Sequence, residues 1–181
     1  MAMNYLELDE ITRGIMLAEF NAEEAGGNPY RSKALSSNGQ KVFPQLMRDA
    51  IQHGTELSLA TALNRPAFWE TMETYVRDGI ERERRRNIQQ ASERLAITEF
   101  STWYVRGLAR RLLNEGVKTC QVYRAAQPKW EPGECSQHEG LVVDVVTIYN
   151  NHRARYWPEP GNPSVISIPF SPSCHHVIKR V

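Results

Sequence analysis

The sequence predicts an α+β fold: a mostly α-helical N-terminal two-thirds with a long helix or helical hairpin, followed by a small C-terminal β module. Two observations predict this division. Apolar residues recur at spacings of three and four as far as Leu112, which is the period of an amphipathic helix. After Gly116, apolar and polar residues alternate as they do in strands. We therefore expect a helical domain at 1–116 and a small β-rich module at 117–181.

The chain's size and charge limit the classes of function to consider. Its 181 residues include Lys+Arg 22 and Asp+Glu 21, which leave a net charge of +1. This balance does not indicate binding to nucleic acid or to an anionic membrane. Cys 3 is an odd number, and the first residues lack an apolar leader, so a reducing compartment is expected rather than a disulfide framework. No stretch approaches the roughly 18 apolar residues of a membrane helix, and we expect a soluble cytoplasmic product or one that is assembled in the cytoplasm.

The helical part begins with a short helix from Asp9 that ends before Gly26. Residues 28–40 are rich in turn formers, which predicts an extended loop, either an arm that docks on a neighbour or a simple connection. Pro44 is expected to open a second helix that ends near Asn64, because proline fits the first turn of a helix.

The next segment, residues 66–115, is predicted to be helical for most of its length, with a bend at Gly79. It contains the run Glu-Arg-Glu-Arg-Arg-Arg at 81–86. Such a run is typical of a solvated helix face. The alternative is a basic ridge that contacts phosphates, which the interleaved glutamates disfavour.

Glu99 lies among apolar and aromatic residues of this predicted helix. A buried carboxylate needs a charged partner, and Arg94, Arg106 and Arg153 are the candidates. A catalytic role for Glu99 lacks a second acid at an informative spacing.

The C-terminal module is predicted to hold three strands, at 119–124, 141–149 and 165–168. Three prolines fall within 156–163. They exclude a helix or a central strand, so this stretch is expected to be a rigid exposed loop.

Two short clusters of cysteine and histidine predict a zinc site in this module. Cys135 and His138 form one, and Cys174, His175 and His176 form the other. Tetrahedral zinc takes such ligands from two pairs that are distant in sequence. His176 is favoured over His175 because it lies two residues from Cys174, on the same face of a strand; His175 is the substitute. The alternative is that both cysteines are ordinary buried residues and the histidines are polar surface groups.

Motifs of several enzyme classes are missing from the sequence, including the glycine-rich phosphate loop, Gly-x-Ser-x-Gly and His-Glu-x-x-His. The adjacent histidines invite comparison with HNH nucleases, but only five residues follow His176. Four protein ligands would also leave zinc no open position for water. We therefore expect a structural zinc and no enzyme activity.

Four motifs resemble a known family when they are taken in order. They are Arg-Leu-Ala-Ile-Thr-Glu at 94–99, Glu-Gly-Val-Lys at 115–118, Cys135 with Gly140 after it, and Ile-Pro-Phe-Ser-Pro-Ser-Cys-His at 168–175. Together they resemble the C-terminal part of the phage head-morphogenesis (minor capsid, Mu F-like) family over residues 94–181. That family shows an Arg-Thr-Glu helix, a Cys-x-x-Cys and a late Pro-x-Cys-Arg-Cys. Here His138, His175 and His176 stand where the family has other residues, and an exchange of Cys for His keeps a zinc ligand.

The resemblance implies a structural protein of a tailed-phage virion at the portal vertex or the head-tail neck, as a minor capsid protein or a connector. Its expected partners are the portal protein and other neck or capsid proteins, and further copies of itself in a symmetric ring. Nucleic acid is a less favoured partner. Tyr30 and Arg31 in one loop and Tyr156 and Trp157 in the other are the candidate contacts, although a core role suits Trp157 as well. The alternative function is a small zinc-dependent nuclease or DNA-binding protein that uses the arginines of 81–86.

Overall fold

The computed structural model describes residues 2–127, 134–172 and 174–181, and its α+β architecture confirms the predicted fold class. The described residues form five α-helices, two short 3-10 helices and five strands. The helices are α1 Glu10–Ala25, α2 Ser37–His53, α3 Glu56–Leu63, α4 Ile88–Asn114 and α5 Val145–Asn150; the 3-10 helices are Pro66–Phe68 and Glu134–His138; the strands are β1 Met72–Arg77, β2 Ile80–Arg85, β3 Thr119–Arg124, β4 Val142–Asp144 and β5 His176–Arg180. No helix among the described residues is long and apolar enough to span a membrane.

The long helix α4 lies at the centre of the fold. It packs against α1, α3, α5 and β5, and its aromatic and aliphatic residues are buried. The predicted apolar stripe is confirmed by Phe100, Tyr104, Leu108 and Leu112, each of which has 0% of its surface exposed. The helix ends before Gly116, whose φ of 75° suits a glycine.

The helices α1, α2 and α3 begin at side-chain caps. Asp9 accepts a hydrogen bond from the backbone N–H of Thr12, which confirms the predicted start of α1. The predicted start of the second helix at Pro44 is wrong, because Ser36 caps α2 and Pro44 lies inside that helix. The predicted loop at 28–40 is therefore too long by four residues. Gly54 separates α2 from α3, which were predicted as one helix.

The prediction of a helix across 66–115 is wrong for its first part. The strands β1 and β2 form an antiparallel hairpin, joined by Asp78 and Gly79 with φ of 54° and 76°. Two positive φ values in a two-residue loop are typical of the Asp-Gly hairpin turn. The charged run at 81–86 consequently lies in a strand and its end, because the alternation of Glu and Arg matches the period of a strand rather than that of a helix.

The C-terminal sheet has the strand order β4-β3-β5, and both pairs are antiparallel. The strand predicted at 119–124 is confirmed. The strand predicted at 141–149 is wrong beyond Asp144, because the chain continues as α5, with Val145 and Ile148 on its buried face. The strand predicted at 165–168 is absent from the described residues, and 176–180 forms the third strand. Instead of a neighbouring strand, a side chain hydrogen bonds to the backbone here: Arg155 donates to the carbonyl of Val165.

The N-terminal residues join the two parts of the chain. The N–H of Asn4 donates to the carbonyl of Ala125, and the N–H of Arg180 donates to the carboxylate of Glu7. The hydroxyl of Tyr123 bonds the carbonyl of Asn4. The helical part and the sheet therefore meet across residue 116, and the predicted division at that residue stays a prediction.

Candidate metal centre and aromatic cavity

Three of the four predicted zinc ligands come together in the C-terminal module. Cys135 lies in the 3-10 helix Glu134–His138, Cys174 lies just before β5, and His176 begins that strand. One donor atom from each of these residues lies within 4.8 Å of the other two. The three residues are therefore close enough to bind one metal ion.

One pair of donor atoms in this group has the spacing of a tetrahedral site. The sulfur of Cys174 lies 3.5 Å from Nδ1 of His176. Bonds of about 2.3 Å to sulfur and about 2.1 Å to nitrogen in a tetrahedral zinc site place such atoms about 3.6 Å apart. Both residues are buried, with 3% and 1% exposure. The spacing of Cys174 and His176 along the chain, which favoured His176 over His175, is thus matched by the distance between their donor atoms.

The surroundings of His176 favour a metal ligand. Its Nε2 lies 3.7 Å from a carboxylate oxygen of Glu139, which is longer than a hydrogen bond but within reach of an ionic contact. A carboxylate beside the second ring nitrogen is typical of histidines that bind zinc. Burial, with the charge of Arg124, lowers the pKa of His176, which keeps the ring neutral as a ligand must be. Burial raises the pKa of Cys174, and a bound cation would favour its thiolate.

The fourth predicted ligand, His138, is not a member of this group. Its ring stacks against Phe170, with 4.2 Å between the ring centres. Its Nε2 is buried and has no hydrogen-bond partner among the described residues. The substitute, His175, is half-buried and also lies outside the group. Cys120 is buried in β3, and burial raises its pKa to about 12, so it is not a reactive thiol.

Glu99 forms the buried ion pair that the sequence predicted, and Arg153 is the partner. The guanidinium donates two hydrogen bonds to the carboxylate, of 2.9 and 2.7 Å. Their side chains are 2% and 1% exposed. The guanidinium also lies 4.7 Å from the ring centre of Tyr30 and 5.3 Å from that of Trp103. The pair thus connects α4 to the two loops that carry the predicted contacts.

The four predicted contact residues line one cavity of about 470 Å³. The ring of Tyr30 meets the rings of Tyr156 and Trp157 edge to face, at 5.5 and 5.7 Å between centres. Arg31 also lines the cavity and pairs with Glu24. All four residues are half-buried. Their role as partner contacts stays a prediction, since the rings also hold the two loops together.

Ion pairs surround this cavity. Lys33 lies 2.6 Å from Glu159, and Arg86 lies 3.2 Å from Glu73. One face of the first half of α4, from Asn87 to Glu99, forms much of the remaining wall. The cavity is therefore lined by positive and negative side chains that pair with each other. These pairs give it no strong preference for an anion or a cation.

The hairpin formed by β1 and β2 was missed from the sequence. The signal for it was the dipeptide Asp78-Gly79 between two stretches of alternating residues. Comparisons of the chain with protein-family models, with curated proteins and with solved structures gave no match. The family therefore remains a resemblance of short motifs.

Proposed function

We propose that this chain is a non-catalytic structural protein of a tailed-phage virion, at the portal vertex or the head-tail neck. One zinc ion stabilises its C-terminal module. The observation that carries the proposal is the group of half-buried Cys135 with buried Cys174 and His176, because these residues belong to the motifs on which the resemblance rests. The partners in this proposal are the portal protein, other neck or capsid proteins and further copies of the chain.

The zinc in this proposal is structural. Hydrolytic zinc sites keep one position open for water and substrate, whereas Cys174 and His176 are almost fully buried. Zinc would tie the 3-10 helix to the first residue of β5 across a long intervening stretch. Binding energy of this kind contributes directly to folding. His138 is the candidate fourth ligand, because its Nε2 is buried without a partner in the described chain and a change of rotamer alters where that atom lies.

The metal content of the purified protein tests the first half of the proposal. We expect about one zinc per chain by native mass spectrometry, lost in C174S and C135S and retained in C120A, which removes a buried cysteine outside the group. Removal of zinc should lower the melting temperature of the wild type. The same treatment should leave that of C174S unchanged, because C174S holds no zinc. H138A tests whether His138 is a fourth ligand or only a stacking residue. Loss of a ligand weakens zinc affinity by 10-fold or more, whereas loss of a stacking residue does not. Folded wild-type protein that contains no zinc and binds none would reject the metal site.

Association with virion proteins tests the second half. We would express the chain together with the portal protein from the genome that encodes it, and measure the complex by size-exclusion chromatography with light scattering. A defined complex of fixed stoichiometry is expected. Absence of the complex, together with absence of the chain from purified particles, would reject the virion role while leaving the zinc result intact.

A zinc-dependent nuclease or DNA-binding protein remains the alternative function. The arginines of the hairpin favour it, since Arg82 and Arg84 are exposed. Burial of Cys174 and His176 disfavours catalysis. Cleavage of duplex DNA that is lost in C174S would replace the structural proposal with this one.

A further inference from the structure

The hairpin of β1 and β2 is an exposed arm. Every residue of β2 is exposed. The two strands pair with each other, and neither packs extensively against another helix or strand of the described chain. Six residues in a strand extend roughly 20 Å, so the arm presents two faces over that length, although Glu73 and Tyr75 of β1 are half-buried.

The arm is held firmly at its base. The backbone N–H of Arg86 donates to the carbonyl of Thr71, and its guanidinium donates to the carbonyls of Glu70 and Met72. The N–H of Glu70 donates to the carbonyl of Ala34. The bonds of Arg86 therefore tie the two ends of the arm together, and the bond between Glu70 and Ala34 attaches them to the body of the protein.

The strand register sorts the charges of the run at 81–86 onto opposite faces. Residues directly opposite in an antiparallel pair point to the same side of the sheet. Tyr75 lies opposite Arg82 and Glu73 lies opposite Arg84, whereas Val76 lies opposite Glu81 and Thr74 lies opposite Glu83. Glu81 and Glu83 therefore lie on one face of the hairpin, and Arg82 and Arg84 lie on the other.

The two faces consequently carry opposite net charges. The basic face holds three arginines and one glutamate, a net charge of +2; it consists of Glu73, Tyr75, Arg77, Ile80, Arg82 and Arg84. The acidic face holds two glutamates and one arginine, a net charge of −1; it consists of Met72, Thr74, Val76, Glu81, Glu83 and Arg85. The side chains of Glu81, Arg82, Glu83 and Arg85 make no hydrogen bond or ion pair within the described chain.

Exposed apolar side chains lie beside these charges and favour a protein partner over nucleic acid. Val76 is 71% exposed and Met72 is 46% exposed on the acidic face, and Ile80 is 57% exposed on the basic face. Burial of such residues stabilises a contact between proteins, whereas phosphate groups offer them nothing apolar to pack against. Opposite charge on the two faces of one arm makes each face complementary to the other face of an identical arm.

We propose that this arm docks on a second copy of the chain, with the basic face of one arm against the acidic face of the next. Such a contact is heterologous, so each copy uses both faces, and repetition produces a ring or a filament. This contact is the interface for the self-association that is part of the proposed function, and the inference rests on that function in this respect. A face of six residues buries less than the roughly 1,200 Å² of a standard interface. The single contact is therefore weak and sensitive to salt.

Sedimentation velocity of the full chain over a range of concentrations tests the proposal. We expect reversible association at about 50 mM salt that weakens at least about tenfold at about 500 mM salt, because screening reduces attraction between exposed charges. R77E/R82E makes both faces acidic, and E81K/E83K makes both basic. These four positions lie opposite uncharged residues in the register, so neither variant places two like charges directly opposite each other. Each variant alone is expected to be monomeric.

A mixture of the two variants provides the decisive comparison. The acidic arms of R77E/R82E and the basic arms of E81K/E83K complement each other, so mixed assemblies should form although neither variant self-associates. K41E/K118E changes the net charge as much as R77E/R82E at exposed residues outside the arm, and should associate like the wild type. Circular dichroism melting establishes that all the variants are folded.

Several results would overturn the proposal. A wild type that stays monomeric at all concentrations would do so, as would association that neither reversal disturbs. Binding of duplex DNA that requires Arg77 and Arg82, with no self-association, would assign the basic face to nucleic acid instead. Zinc content and the portal complex are measured on the same variants. Loss of self-association alone therefore leaves the proposed function standing, and loss of portal binding alone leaves the arm interface standing.

Discussion

Glu99 and Arg153 illustrate how a single buried pair constrains its surroundings. Two charges removed from water are tolerated because the guanidinium meets both carboxylate oxygens, at 2.9 and 2.7 Å. Removal of Arg153 leaves Glu99 buried without compensation, whereas removal of Glu99 leaves Arg153 only a longer ionic contact with Glu23, at 3.9 Å. The sequence indicated that Glu99 needed an arginine and named three candidates. Only the fold brought Arg153, 54 residues away, beside it.

The substitution E99Q is expected to lower the free energy of unfolding by about 3 kcal/mol, because it leaves the buried Arg153 charge only its longer contact with Glu23, at 3.9 Å. E99M/R153M should recover much of this loss, since apolar residues of similar volume replace the pair. The exposed pair of Lys33 and Glu159 provides the control, and K33A should cost less than about 1 kcal/mol. Urea denaturation at neutral pH measures all three. Equal losses for E99Q and K33A would contradict the argument.

His152 and Glu23 make stability depend on pH. Burial, together with the charge of Arg153, lowers the pKa of His152 to about 4. Burial raises the pKa of Glu23, but the contact with His152, whose Nε2 lies 3.3 Å from the carboxylate, and the charge of Arg153 outweigh it and bring the pKa to about 2. Both groups therefore bind fewer protons in the folded state than in the unfolded state. Stability falls on acidification, first through His152 below its unfolded pKa and then through Glu23.

The free energy of unfolding should fall by on the order of 3 kcal/mol through His152 as the pH decreases from 7 to 4, because the unfolded histidine takes up a proton at about pH 6.5 and the folded one does not. H152Q should remove this component, and H53Q, which changes an exposed histidine, should retain it. Denaturant titrations at a series of pH values measure the slope. A slope that is the same in H152Q and in the wild type would show that His152 is not the group responsible.

At the scale of secondary structure elements, the contact between α1 and α4 depends on a glycine. A Cβ at Gly107 of α4 would lie 2.4 Å from Cγ of Met16 in α1 and 3.0 Å from its Cα. Gly14, on α1, has nothing within 4 Å of the equivalent position. The two glycines therefore have different roles: the first lets two helices approach closely, and the second only weakens its own helix.

G107A should destabilise the protein by about 1–3 kcal/mol, because the added methyl group overpacks the helix contact. G14A should stabilise it by about 0.5–1 kcal/mol, since alanine is the better helix former and meets no neighbour. Thermal or urea denaturation of both variants gives the comparison. Stabilisation by both substitutions would mean that α1 shifts away from α4 at little cost.

The elements themselves were predictable where a local signal was strong. The cap at Asp9, the apolar stripe of α4 and the alternation of β3 each depend on neighbours within a few residues, and each was found. The strand β5 was missed. Its residues are buried by pairing with β3 and packing on α4, and neither contact is visible in five residues of sequence.

At the scale of the whole molecule, the helical part and the C-terminal sheet share a hydrophobic core. Val177 and Ile178 of β5 are fully buried, and the strand packs against α4. The N-terminal residues hydrogen bond to the sheet through Asn4 and Glu7. Residues 1–116 alone would expose the face of α4 that β5 and α5 cover.

A protein of residues 1–116 is therefore expected to lack a cooperative thermal transition and to bind a hydrophobic dye, as compact states without fixed packing do. The full chain should unfold in one transition. Near-ultraviolet circular dichroism during heating distinguishes the two. Cooperative unfolding of the fragment would instead establish 1–116 as an independent domain, which is the division that the sequence predicts.

The sequence by itself determined the α+β class, the central long helix and three residues that now form the candidate metal group. These features depend on residue type and on spacing along the chain, so they can be inferred from short stretches of sequence. The tertiary structure decided which arginine pairs with Glu99, that His138 stacks on Phe170 instead of joining the group, and that the charged run forms a two-faced arm. Those outcomes depend on which distant segments meet, because burial and pairing between them outweigh the preferences of any single segment.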